Sequence, residues 1–319
     1  MGGCKLKFVL CLRLMLAGMV IVALAAFCAA QDPVENANTV CSQANLKDAV
    51  RVDGYIFRSY ENRGNDRCFE VLRDGKILFR RTNDSGGWYK IGQPEDKEWK
   101  IPAIANGTDI TGRGHPEMIV SSYTGGAHCC LFHYLFELEP KFKLLATLDA
   151  EDDDLSHFEA LDADGKYYYL TADWSFAYWY GSFAGSPSHS VVLHYVDDSH
   201  GGGFHLAFDK MQTPAPTPEE WQKALNDVQK ELQLDRENKV NNLPDLLWRE
   251  VMDLIYSGHS DLAWKFLDEA GPQAQQKPYP DLASFCSTLK TSPYWPDLAP
   301  MLKNTPPACA NAKPDRANK

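Results

Sequence analysis

Residues 109–130 read DITGRGHPEMIVSSYTGGAHCC. A polar, Gly-rich loop (109–116) runs into an apolar stretch (117–123), which ends at a Gly-Gly turn carrying His128, Cys129 and Cys130. An apolar run rich in β-branched and aromatic residues, bounded on both sides by Gly and Pro, is the signature of a strand. Working outward, residues 160–168 (ALDADGKYY) align with residues 109–117. The loops share their second glycine (Gly114 and Gly165), and each leads into a strand-like run. Further strand candidates follow at 130–138 and 142–148 after the first loop, and at 190–196 and 203–208 after the second. A repeat of about 50 residues with several strands per unit has the period of propeller blades and related β-repeats.

Upstream, CFEVLRDGKILFRR (68–81) alternates apolar residues on both sides of Asp74-Gly75, which predicts a hairpin. Short strands are expected at 88–92 and 99–104. Only about three blade-sized units fit before residue 209, whereas a closed propeller takes at least four. The expected fold is a mainly β N-terminal domain, either an open propeller-like meander or a sandwich of β-repeats, followed by a small α-helical domain.

The two loops resemble the D-x-[DN]-x-D-G-x-x-[DE] motif of the FG-GAP/VCBS-type repeats, the blade family of integrin α-chains and many exported bacterial proteins. The resemblance spans roughly residues 99–208. The TGGAHCC turn and SFAGSPSH (182–189) also look like a group of uncharacterised exported bacterial proteins. In such repeats, loop positions 1, 3, 5 and 9 supply oxygens to Ca²⁺, a hard cation that takes six to eight of them. Here those positions hold Asp109, Thr111, Arg113 and Glu117, then Ala160, Asp162, Asp164 and Tyr168. The carboxylates Asp109, Glu117, Asp162 and Asp164 are therefore the candidate Ca²⁺ ligands. Arg113 puts a fixed positive charge where a ligand belongs, which suggests an internal ion pair with Asp109 or Glu117 instead of a metal. The expectation is a structural turn without a cofactor, with Ca²⁺ as the alternative.

MQTPAPTP (211–218) is a Pro-rich linker, and composition then turns helical. Thr217-Pro218-Glu219-Glu220 is a capping box with Pro at the first helical position. Further helices are expected from about residues 241, 261 and 280. The domain reading is signal peptide 1–30, β-repeat domain 31–212, helical domain 213–310 and a disordered tail 311–319.

The leader reading rests on Lys5, Lys7 and Arg13 followed by an apolar run, with Cys28-Ala29-Ala30 placing small residues before a cut at Gln31. The 319-residue chain carries 43 acidic and 32 basic residues, a formal charge of −11, and losing the leader makes it more acidic. Such a chain is ill suited to nucleic acid or anionic membrane, both of which reward clustered Lys and Arg. No membrane insertion is expected after leader cleavage, so the location implied is periplasmic or secreted. Three of the nine cysteines leave with the leader, and an even number after export favours disulfides over thiol catalysis. Cys286 and Cys309 are expected to pair. Cys41 and Cys68 either bridge to Cys129 and Cys130, or pair with each other and leave Cys129 to join Cys130.

DWSFAYWYGSF (173–183) is the densest aromatic stretch. As a strand it would place Trp174, Phe176, Tyr178 and Tyr180 on one face and Trp179 among small residues on the other. Trp174, Tyr178, Trp179 and Tyr180 are the candidate partner-binding residues, with Trp179 the favoured exposed contact. His189, His194, His200 and His205 read as structural, and the acidic run 151–154 as a solvated loop. No catalytic residue is identified. The function expected is that of an exported, non-enzymatic binding protein with a protein or glycan partner in the cell envelope. The alternatives are an envelope hydrolase using an unidentified carboxylate, and an inhibitor or immunity-type protein.

Overall fold

The computed structural model describes residues 40–83, 86–127, 130–163, 165–197, 202–238, 245–270 and 280–314. The expected leader (1–30), His128, Cys129, Asp164 and His200 lie outside these. Among the described residues the chain forms three four-stranded antiparallel sheets, each an open meander, and seven helices. This is the mainly β fold with a following helical region that the repeat pattern implies.

The first sheet holds β1 (Leu46–Val52), β2 (Tyr55–Glu61), β3 (Arg67–Arg73) and β4 (Lys76–Asn83) in that order. Its outer hairpins turn at Asp53-Gly54 and Asp74-Gly75, all four residues with positive φ, as a two-residue hairpin loop requires. The second sheet holds β5 (Trp88–Ile91), β6 (Glu117–Tyr123), β7 (Leu131–Glu137) and β8 (Lys143–Glu151). The strand expected at 99–104 is reduced to isolated bridges, Gln93 with Ile104 and Asp96 with Ile101. The third sheet holds β9 (His157–Glu159), β10 (Tyr168–Asp173), β11 (His189–Val196) and β12 (Gly203–Leu206).

The side-chain period of two decides how these sheets stack. Met118 and Val120 on β6, with Tyr134 and Phe136 on β7, pack against Tyr55, Phe57, Phe69 and Val71 of the first sheet. Their neighbours Ile119 and Leu135 point the other way, into a core shared with Phe158, Tyr169, Val191 and Leu193 of the third. Both faces of the middle sheet are covered, which is why EMIVSSY is buried almost throughout.

The helices are α1 (Phe208–Met211), α2 (Pro218–Asn238), α3 (Asp245–Tyr256), α4 (Ser260–Glu269), α5 (Leu282–Leu289), α6 (Trp295–Leu298) and α7 (Pro307–Asn311). The capping box closes as expected: Thr217 Oγ1 accepts from Glu220 N at 3.2 Å, and Glu220 Oε2 accepts from Thr217 N at 2.8 Å. Ser260, the first residue of α4, is buried, and its Oγ accepts from Lys303 N at 2.8 Å. The apolar side of α3 (Trp248, Val251, Met252, Ile255) joins the third sheet in one continuous core. The helical region is thus built onto that sheet. Helix α7 runs through Asn311, and Lys290 Nζ donates to the carbonyls of Ala310 and Ala312, so the first residues of the expected tail are tied down.

Cys41 pairs with Cys68 and Cys286 with Cys309, and Cys130 is also disulfide-bonded. The first two cysteines therefore bridge to each other and do not reach the Cys129–Cys130 turn. Among the described residues no helix is long and apolar enough to cross a membrane.

Candidate functional site

Residues 174–186 follow β10 as a compact loop and do not continue the strand. The change begins at Asp173, a carboxylate 1 % exposed that ends β10. Its Oδ1 accepts from the Ser175 amide at 2.8 Å and from the Ser175 hydroxyl. Its Oδ2 accepts from Ser292 Oγ at 2.6 Å and from the Tyr256 hydroxyl of α3. A carboxylate that captures the amide two residues on starts a turn, which local strand propensity cannot override. Two turns follow, closed by Ala177 N to Trp174 O at 2.8 Å and Trp179 N to Phe176 O at 3.0 Å. Burial pushes the Tyr256 phenol well above its usual range, and the Asp173 charge beside it adds to the shift.

The turns sort the aromatics differently from a strand. Phe176 and Trp179, three apart, both point inward. Trp179 is only 2 % exposed and packs edge-on against Trp248 at 5.3 Å and Phe176 at 5.0 Å. The exposed role expected of Trp179 is therefore corrected, because it is the residue that keys the loop into the core. Tyr178 and Tyr180 carry the exposure instead, at 52 % and 55 %. Both have left-handed backbone, φ 60° and 53°. Such a conformation costs a bulky L-residue about 1–2 kcal/mol and has to be held from outside. Ser186 Oγ accepts from Tyr178 N at 2.7 Å and donates to Ser182 O at 3.0 Å. Ser284 Oγ donates to Tyr180 Oη at 3.1 Å. Trp174, half-buried, stacks on Phe183 at 5.0 Å, and the Tyr178 ring rests on the same Phe183 at 5.5 Å.

Side-chain cations pair with carboxylates of both motif loops. Asp109 accepts from the amides of Arg113 (3.0 Å) and Gly114 (2.7 Å). Glu117, 1 % exposed, accepts from the amides of Ile110 and Thr111 (both 2.9 Å), from Thr111 Oγ1 (2.6 Å) and from Arg113 Nη2 (3.2 Å). Burial still holds the Glu117 carboxyl above its ordinary range. The Arg113 guanidinium also pairs with Glu137 and lies 4.8 Å over the Tyr195 ring. In the second loop, Asp162 pairs with Lys210 at 2.5 Å and accepts from Tyr168 Oη at 3.0 Å, and the Lys210 hydrogen bond draws its pKa down. Asp164, the fourth candidate ligand, lies outside the described residues.

The 124–130 turn is fastened by Thr124 N to Cys130 O at 3.1 Å and Cys130 N to Thr124 Oγ1 at 2.9 Å. Gly87 lies against its base, where an added Cβ would stand 1.9 Å from Tyr123 O. Only glycine permits that approach.

One constellation has no signal in the sequence. Ser121 and His133 are cross-strand partners on β6 and β7. Ser121 Oγ lies 2.9 Å from His133 Nδ1, and Ser156 Oγ 3.0 Å from Nε2. Ser156 gives its own proton to Asp153 O at 2.8 Å, so Nε2–H donates to Ser156 and Nδ1 accepts from Ser121. The geometry is that of a nucleophile and base, but burial pushes the His133 pKa down to about 3. A general base works best with a pKa near the working pH. His133 is a neutral bridge tying the second sheet to the 152–156 turn. Of the candidate histidines, His189 Nδ1 meets Asp253 at 2.6 Å and His205 Nδ1 meets Asp297 at 2.8 Å, joining the third sheet to α3 and α6.

No family model, curated protein or solved structure matches the chain.

Proposed function

We propose that the protein is an exported, non-enzymatic binding protein that presents Tyr178 and Tyr180 to a protein partner in the cell envelope. The observation that carries this is the pair of half-exposed tyrosines, both held in left-handed backbone on a rigid aromatic base. Backbone strain at an exposed site is a pointer to function. Tyrosine supplies a large contact at little entropic cost, and pre-organising it removes part of the cost of binding. The disulfides support export, being rare in reducing compartments. The resemblance to FG-GAP/VCBS-type repeats supports a binding role by analogy alone.

A photoreactive phenylalanine analogue at position 178 or 180, irradiated in the native envelope, tests the reading. One discrete protein adduct is expected at these positions, and none from position 99, where Trp99 is equally exposed. Equal adducts from all three positions, or none from 178 and 180, would contradict it.

A further inference from the structure

A second surface feature lies away from the tyrosine loop. A cleft of about 670 Å³ opens between the Pro-rich linker, the start of α2, one face of α3 and the first residue of β11. That volume is in the range of small-ligand and side-chain sites. Glu250, Asp253 and Leu254 line it because they share one face of α3 at helical spacing, and Ser257 lines it from the turn that follows. Met211, Pro214 and Leu254 give it apolar walls, and among the described residues no lysine or arginine lines it.

The hydrogen-bonding character of the cleft follows from what its histidines do elsewhere. His189 Nδ1 lies 2.6 Å from Asp253 Oδ1, and an ionised carboxylate only accepts, so Nδ1 carries the proton. In the neutral ring Nε2 is then a bare lone pair. His259 Nε2 lies 2.7 Å from the Thr213 carbonyl, so its proton is on Nε2 and Nδ1 is bare. The His189 ring is fixed further by stacking on Tyr256 at 4.8 Å. Glu250 makes no hydrogen bond or ion pair among the described residues, and burial together with the Asp253 charge raises its pKa. Apart from a few hydroxyls, the polar side chains of the cleft thus offer acceptors and negative charge without a donor to match. A narrower recess of about 440 Å³ continues along α3 and shares Glu220, Glu250 and Asp253. Among the described residues the two cations lining that recess are engaged within it or beside it, Lys223 with Asp227 at 2.7 Å and Arg249 with Asp245 at 2.8 Å.

We infer that this cleft is a binding site for a guanidinium group, the arginine side chain of an extended peptide segment. Guanidinium supplies five donors in a plane, which suits acceptors spread over His189, His259, Glu220 and Glu250 better than a compact ammonium does. Its aliphatic stem lies along Met211, Pro214 and Leu254. The adjoining recess takes the flanking peptide, and the chain's charge of −11 draws cations toward it. The inference does not depend on the tyrosine loop.

The test is calorimetric titration of the intact mature protein with capped Ala-Arg-Ala and Ala-Lys-Ala. One-to-one binding of the arginine peptide is expected, at least five-fold tighter than the lysine peptide. Glu250→Gln should weaken it about ten-fold, and Tyr178→Ala should leave it unchanged. No saturable heat at millimolar peptide, equal affinity for lysine, or indifference to Glu250→Gln would overturn the inference. Should Glu250→Gln lower the melting temperature, the imidazole resonances of the wild-type protein decide. Movement of both His189 and His259 signals on adding the arginine peptide supports the site, and no movement overturns it.

Discussion

The indole of Trp179 stands perpendicular to that of Trp248, 86° between planes with centroids 5.3 Å apart, and joins the loop after β10 to helix α3. Both rings are buried. The loop therefore has an anchoring half and a presenting half, and the two respond oppositely to truncation. Trp179→Ala should cost about 3–5 kcal/mol by removing a large core aromatic. Tyr178→Ala should change stability by no more than about 0.5 kcal/mol, as exposed substitutions do. Denaturant unfolding of the two variants measures the contrast.

Asp173 is the polar counterpart of that anchor, gathering Ser175, Tyr256 and Ser292 onto one buried carboxylate. Asp173→Ala leaves three buried hydroxyls, those of Ser175, Tyr256 and Ser292, without their acceptor, at about 1–3 kcal/mol each. The cost should fall markedly in a Tyr256→Phe background, because one stranded donor is already gone. A double-mutant cycle reads the coupling, and simple additivity would mean that the two groups do not share the interaction.

The motif loops are expected to hold together without metal. Arg113, Lys143 and Lys210 already pair with Glu117, Glu137 and Asp162. Calorimetry with millimolar Ca²⁺ should show no saturable heat and no rise in melting temperature. Arg113→Gln should destabilise by about 3–5 kcal/mol, since it leaves buried carboxylates uncompensated. A calcium-dependent stabilisation of the wild-type protein would contradict this reading.

Stability should also carry a carboxylate signature of unusual sign. Burial lifts the Glu231 pKa to about 7, with Asp245 and Asp235 adding like charge. A carboxyl whose folded pKa lies above its unfolded value takes up a proton on folding. Its contribution is complete below the unfolded value near 4.5 and is lost as pH rises through about 7. Glu231→Gln should therefore stabilise at pH 8 and make little difference at pH 4.5. Melting curves at the two pH values give the comparison, and a gain confined to low pH would refute it.

Much of this architecture is legible in the residues. The Asp74-Gly75 hairpin, the strand at 117–123 and the Thr217 capping box each rest on local chemistry that tertiary context had no reason to override. The aromatic loop reads as a strand because alternation in DWSFAYWYGSF fits one until Asp173 is known to be buried and to cap the turn. That depends on Tyr256 and Ser292, 83 and 119 residues away. The Ser121–His133–Ser156 bridge and the His189–Asp253 contact are likewise pairings across the fold, which spacing along the chain cannot reveal.

The most direct test of the binding account is the dissociation constant of the partner cross-linked at position 178 for three proteins: wild type, Tyr178→Ala/Tyr180→Ala and Trp99→Ala. The account predicts that the double variant keeps the wild-type melting temperature and binds at least a hundred-fold more weakly, as when central tyrosines are removed from an interface. Trp99→Ala should bind as the wild type does. Unchanged affinity in the double variant, with the fold intact, would contradict it.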